Sequence, residues 1–212
     1  MVPNTAYSIE ELPYDVLGDI ISRVARRSRK DVRNVMQASP QLAKAAKDHR
    51  VYKNINLRPL AMNPLAALKK YQDLMEKTIA NGNVEAHYIK GIQEYFQKNN
   101  IEEGLAHLKK AAEGTYENAV YLYGIVQLCR GDIAEGKLWL DKLGWKENMA
   151  KGDQCWKDIK KLLHRVNVRK LDCYNNTLGE VRPTVNCSLN DMENKCEQCY
   201  YLKQMIKFVF FF

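Results

Sequence analysis

Nothing in these 212 residues approaches the roughly 18-residue apolar run that a membrane-crossing helix needs, so no span is expected. The opening stretch, residues 1–15, has no apolar core, and it is not expected to act as a secretory leader. Also missing are a GxxxxGK[ST] phosphate loop, a GxGxxG turn, a GxSxG elbow and an HExxH helix. Histidine is scarce, with His49, His87, His107 and His164 making up the whole set, and their order nominates no Ser/His/Asp arrangement. An enzymatic reading therefore has no residue to stand on: no catalytic residue is nominated and no cofactor is required. What remains is ordinary for a globular chain, 46% hydrophobic and 27% charged, which excludes wholesale disorder.

The net charge of +8 is unevenly spread. Residues 1–58 carry 11 Lys+Arg against 6 Asp+Glu, residues 59–150 carry 11 against 12, and residues 151–212 carry 11 against 7. Basic ends suit nucleic acid or acidic protein surfaces, although this charge over this length is a weak signal. The three zones match the pattern analysis, which divides the chain into 1–60, 61–150 and 151–212.

The first zone is helical. Ser8-Ile9-Glu10-Glu11 fits a capping box, and Pro13 suits a first helical turn. Leu12, Val16, Leu17, Ile20, Ile21 and Val24 recur at steps of three and four, which is one apolar helix face. Ser28 with Asp31, and Ser39 with Pro40, mark two further helix starts. So small a unit cannot bury all of that stripe by itself. Internal core is the ordinary reading of such a stripe, and a partner's groove is the other.

Leu12-Pro13-Tyr14-Asp15-Val16-Leu17-Gly18-Asp19-Ile20-Ile21-Ser22-Arg23-Val24 resembles the opening of an F-box, and Val32 to Ser39 is similar to its second helix. Val51-Tyr52 and Ile55-Asn56-Leu57 fall where that family has an apolar–aromatic pair and a short extended exit. The chain departs from the pattern in the third helix, where many F-boxes carry Trp and this one reads Pro40-Gln41-Leu42-Ala43. The resemblance implies a three-helix module that docks on a Skp-type adaptor, and through it on a cullin. The adaptor contacts it implies are Leu12, Pro13, Val16, Leu17, Ile20, Ile21 and Val24.

In the middle zone, Asn63-Pro64 starts a helix whose apolar positions run from Leu65 to Ile79. The chain then repeats itself. Ala86, Gly91, Ile101, Gly104 and Leu108 correspond to Ala119, Gly124, Ile133, Gly136 and Leu140, at offsets of 33, 33, 32, 32 and 32. Small residues recurring at one phase point to helix pairs that approach closely. A period near 34 with two helices per unit resembles tetratricopeptide repeats, and the Ala and Gly placement is similar to their Sel-type relatives. Two units are few for a free solenoid, so the helices near 64–80 and 153–166 are expected to cap the stack. The concave face of such a stack is expected to recruit a protein target. Tyr88, Tyr95, Tyr121, Tyr123, Trp139 and Trp145 read as core, while His87 and His107 read as surface or interface.

Cys155, Trp156, Ile159, Leu162 and Leu163 form a last clear helical face. Val166 to Leu171 and Val181 to Cys187 suggest extended stretches. Cys173, Cys187, Cys196 and Cys199 follow with 13, 8 and 2 residues between them. Cys196-Glu197-Gln198-Cys199 has knuckle spacing for zinc, with Cys173 and Cys187, or His164 in place of one, as completing ligands. A structural zinc and inert buried thiols both remain open, whereas a disulfide suits a reducing compartment poorly. The expected compartment is cytoplasmic and/or nuclear. The final Ile206–Phe212 run is read as an element end tucked into the fold. The tail from Cys187-Ser188-Leu189-Asn190-Asp191 to Cys199-Tyr200-Tyr201 is similar to that of plant F-box proteins that carry a degenerate helical repeat.

The fold expected is mostly α: a three-helix F-box, a short antiparallel helix-pair repeat and a small Cys-bearing C-terminal element. The function that the resemblance implies is a non-catalytic substrate receptor. Two alternatives stand beside it, a basic zinc-stabilised nucleic-acid binder and an F-box scaffold acting outside ubiquitination. The nucleic-acid reading lacks interleaved aromatic and basic residues.

Overall fold

The computed structural model describes residues 8–166, 168, 171–181, 192, 196 and 199–211. Ser8 accepts a hydrogen bond from the Glu10 backbone N–H, but it caps a single 3-10 turn, Ile9–Glu11, and not a long helix. The first helix, α1 (Tyr14–Arg27), begins only after Pro13. Ser28 caps α2 (Arg29–Ala38) on the Asp31 N–H, and Ser39 caps α3 (Pro40–Ala45) on the Leu42 N–H. Where three helices were expected a fourth follows. Asp48 caps α4 (His49–Asn54), which contains Val51 and Tyr52. Leu17, Ile21, Ala25, Val32, Leu42, Val51, Ile55 and Leu57 form the interior of this module. The missing Trp is thus replaced by a cluster of smaller aliphatic side chains.

The short α5 (Arg58–Ala61) leads into the second zone. The single helix expected over 64–80 is broken into α6 (Pro64–Lys70) and α7 (Gln72–Ala80), because Tyr71 leaves helical geometry. Asn83 caps α8 (Val84–Ile92), which continues as a π-helical turn at Gln93–Gln97. The hairpin partner is α9 (Ile101–Glu113), and the second unit is α10 (Glu117–Cys129) with α11 (Ile133–Lys142). The matched glycines lie where these helices touch. A Cβ on Gly91 would stand 2.7 Å from Leu108 Cγ, and one on Gly124 would stand 3.1 Å from Leu140 Cγ. Each pair joins two of the positions that repeat in the sequence.

The third zone is helical among its described residues. It consists of α12 (Ala150–Leu163), α13 (Asp172–Glu180) and α14 (Tyr200–Val209). The extended stretch read at Val166–Leu171 does not appear as a strand among the described residues, and α13 follows it at once. The stretch from 182 to Cys187 lies outside the described residues. The aromatic C-terminus is a helix with Phe208 and Val209 fully buried, although Phe210 is exposed.

The third zone covers the repeat. α10 packs against α9, α11, α12, α13 and α14, and nearly all its side chains are buried. Tyr200 of α14 stacks flat on Trp145 with ring centroids 3.8 Å apart. Tyr121 Oη of α10 donates to Gln204 Oε1 at 2.8 Å, and the Tyr95 and Tyr174 hydroxyls lie 2.6 Å apart. All six aromatic residues read as core are buried.

Candidate functional site

The apolar stripe of α1 divides between two environments. Leu17 and Ile21 are 0% and 2% exposed and lie in the module's own core, with Ala25 one turn further on. Steps of four carry this row of the helix inward. Leu12 and Val16 are 37% and 41% exposed, and Pro13 is also exposed. Ile20 and Val24 are half-buried, with Val24 packed on the core. The outward row has company that the periodicity did not announce. Ile9, Tyr14 and Met36 are exposed as well. Their helical spacing from Val16 gives no signal, because Ile9 sits in the preceding turn and Met36 on another helix.

Polar contacts hold this end of α1 in place. Arg50 donates through Nη2 to the Asp15 carbonyl at 2.9 Å and pairs with the Asp15 carboxylate at 2.7 Å. The same guanidinium grips Asp48 through both its oxygens. Hydrogen bonding from Arg50 holds the Asp48 carboxyl down at about 2. Gly18 faces this pair so closely that a Cβ would lie 2.6 Å from the Asp48 carboxylate. The Gln41 side-chain amide donates to the Glu10 carbonyl and pins the turn before α1.

The module is joined to the repeat by side chains that seal backbone ends. Asn83 Nδ2 donates to the carbonyls of Tyr52 and Ile55, at 3.1 and 2.9 Å, while its Oδ1 caps α8. The Leu57 N–H donates to Glu85 Oε2, and Arg58 pairs with the other oxygen of that carboxylate.

Cys196 and Cys199 come together, with sulfurs 3.3 Å apart. Cys173 is half-buried on α13, and Cys187 lies outside the described residues. His164 packs edge-on against Phe211 at 4.7 Å. Among the described residues, no three His, Cys, Asp or Glu side chains converge on a metal position. Two thiolates are half of a tetrahedral zinc set, so the described donors do not by themselves complete one. Burial pushes the Cys155 thiol up to about 12 and raises Cys129 further, which leaves both inert. His87 and His107, read as surface or interface, face each other across the α8–α9 hairpin with Nδ1 atoms 2.8 Å apart. α13 and α14 pack on α10 and cover part of the repeat. A cleft of about 450 Å³ remains open where α9, α10, α11 and α12 meet, lined by Ala112, Val120, Trp139, Leu143, Lys142 and Glu117 among others. Among the described residues, no helix is long and apolar enough to cross a membrane.

The profile of the plant tetratricopeptide repeat family matches residues 59–164. An F-box protein of Arabidopsis thaliana is 38% identical over 137 residues, covering 65% of this chain and 83% of that protein. A putative F-box protein of the same plant is 28% identical over 129 residues, covering 61% of this chain and 43% of its own length. No solved structure matches.

Proposed function

Since the chain belongs to the F-box proteins, with a plant-type tetratricopeptide repeat behind the F-box, we propose that it is the non-catalytic substrate-recognition subunit of a Skp–cullin–F-box ubiquitin ligase. The observation that carries this reading is the outward apolar row of α1. Leu12 and Pro13 at the entry to α1 and Val16 on it stay in water, while Leu17 and Ile21 of α1 are completely covered. A helix whose second row is apolar and uncovered fits the groove of a partner. Burying one such side chain contributes about 1.5–3 kcal/mol, so three or four of them support a stable complex. The partner is a Skp-type adaptor, and the cullin follows through it.

The repeat then serves as a platform that presents a protein target. With α13 and α14 already packed on α10, the target contact belongs to the open cleft beside Trp139 and Leu143. The ubiquitin chemistry is supplied by partner subunits, and this chain contributes geometry. Asn83 and Glu85 serve that role by holding the repeat at a set angle to the docking helix.

The test is titration of the full chain with a purified Skp-type adaptor, comparing wild type with Val16→Asp/Ile20→Asp. Stoichiometric binding that the double variant loses at unchanged helicity supports the reading. A folded wild type that does not bind the adaptor overturns it. Leu17→Asp is unsuitable as a docking probe, since a charge at a fully buried position unfolds the module.

A further inference from the structure

The corner between α1 and α2 forms a cleft of about 390 Å³, closed on its other side by α5 and by Tyr71 at the start of α7. Arg27, Arg29, Lys30 and Arg33 all line it, together with Asn56. This is where much of the positive excess of the first zone collects. Two other arginines of the module are matched by carboxylates: Arg23 pairs with Asp19, and Arg50 pairs with Asp15 and Asp48. Here, no ion pair among the described residues engages any of the four cations.

Arg29 is the informative member. Its guanidinium lies over the Tyr71 ring, 4.4 Å from the centroid, which orients the planar fork. Its Nη1 atom is buried and has no hydrogen-bond acceptor among the described residues. A buried charged donor without an acceptor is costly, and a native structure tolerates one mainly where something else supplies that acceptor. Asp31, on the same helix, is exposed, and Asp73 on α7 is taken by Lys77 at 2.8 Å. Neither carboxylate satisfies Arg29, and the donor faces a cleft that a small anion can enter.

We infer that this cleft is a binding site for a phosphate monoester, with Arg29 as the bidentate anchor and Arg33, Lys30 and Arg27 neutralising the second charge. Four cations around one small concavity suit a compact dianion with three acceptor oxygens. They do not suit a nucleic-acid strand, which needs a charged groove of several nucleotides with aromatic faces to stack bases on. Tyr71, the aromatic residue of the cleft, carries the Arg29 guanidinium on its ring. The site uses no residue of the α1 docking row, so it stands or falls separately from adaptor binding.

The experiment is calorimetric titration of the full chain with inorganic phosphate and with O-phosphoserine, at ionic strength held constant with sodium chloride. Saturable one-to-one binding is expected for the wild type. It is expected to weaken about tenfold or more in Arg29→Gln. Lys30→Gln/Arg33→Gln removes charge from exposed positions without touching the Tyr71 stack, and it is expected to lose binding while remaining folded. Arg23→Gln, equal to Arg29→Gln in charge change and outside the cleft, is expected to bind as wild type. Tighter binding of phosphoserine than of phosphate identifies a phosphorylated side chain as the source, and equal binding identifies the free ion. The inference is overturned if phosphate gives only the heat of added chloride, or if Arg23→Gln loses as much as the cleft variants. It is also overturned if a single-stranded RNA binds far more tightly than either probe, with a salt dependence of several phosphates.

Discussion

Gly104 lies directly against Tyr95: a Cβ on the glycine would stand 2.6 Å from the Tyr95 backbone nitrogen. One unit later, Gly136 repeats the relationship with Leu128, whose backbone nitrogen would be 2.7 Å away. Side chains can move aside, but a helical backbone cannot without giving up its neighbours. Each hairpin of the repeat therefore closes on a glycine, and the weak helix propensity of these residues is the cost of that approach.

Substitution should separate space from propensity. Gly104→Ala is expected to lower unfolding free energy by about 1–3 kcal/mol through overpacking. Gly179 on α13 has nothing within 4 Å of its added Cβ, so Gly179→Ala is expected to be neutral or to stabilise by up to about 1 kcal/mol. Urea unfolding of both variants checks the pair. An equally stable Gly104→Ala would mean that the hairpins are not held by this contact.

The facing histidines predict acid sensitivity. Burial first, then His107 and Lys110, hold the His87 imidazole down at about 4. Burial, with Lys90 and Lys110, lowers His107 too, against the opposing pull of Glu94. Unfolded histidine titrates near ~6.5. Below that pH the unfolded chain binds more protons than the folded one, so stability is complete above ~6.5 and is lost as pH falls toward 4. The loss from His87 is expected to be up to about 3 kcal/mol. Urea midpoints measured from pH 7 to 4 should fall steadily, and His87→Gln should flatten the curve across that window.

Glu94 extends the same trend to lower pH. Burial raises its carboxyl, but hydrogen bonds from Lys90, Lys98 and Asn100 outweigh that and bring it down to about 2. The stability it contributes is present above its unfolded value near ~4.3 and is lost as pH falls toward 2. Glu94→Gln should remove that lower part of the acid transition and leave the histidine part in place, as read by the same midpoints.

The hold of α14 on the repeat rests partly on one amide. Gln204→Leu keeps the volume but takes the acceptor from the buried Tyr121 hydroxyl. Leaving that donor unsatisfied is expected to cost about 1–3 kcal/mol. Amide exchange should show increased opening in α10 and α14 and little change in α1–α4. Uniform loosening of all helices would mean that α14 is not a separately anchored element.

The link between module and repeat depends on Asn83. Asn83→Ala removes the α8 cap and leaves the Tyr52 and Ile55 carbonyls without their donor, for an expected loss of about 2–3 kcal/mol. The exchange of amides near residues 52–57 and 84–88 should rise together.

The local signals were strong enough to read directly. Ser28 and Ser39 cap helices where the sequence says they should, because a side-chain oxygen and a backbone N–H three residues on are enough to make the cap. The repeat was visible because close helix packing restricts both units to the same small residues at the same phase. The six core aromatics, the F-box order and the mostly helical fold were open to the same kind of reading. What pattern alone could not decide was which row of the α1 stripe faces inward. Leu17 and Val16 are both apolar neighbours, and only the position of α4 makes one core and the other surface. The same holds for α13, which the β-branched residues before it disguised, and for the helices laid over α10. His87 and His107 are distant in the sequence and ordinary in local pattern, and the α8–α9 hairpin is what brings their rings together. The basic cleft is similar: its cations are plain in the composition, but that Arg29 has no ion pair among the described residues, and lies over Tyr71 instead, depends on how the corner closes. Short-range chemistry is written along the chain, whereas burial, pairing and exposure depend on neighbours that only the folded arrangement supplies.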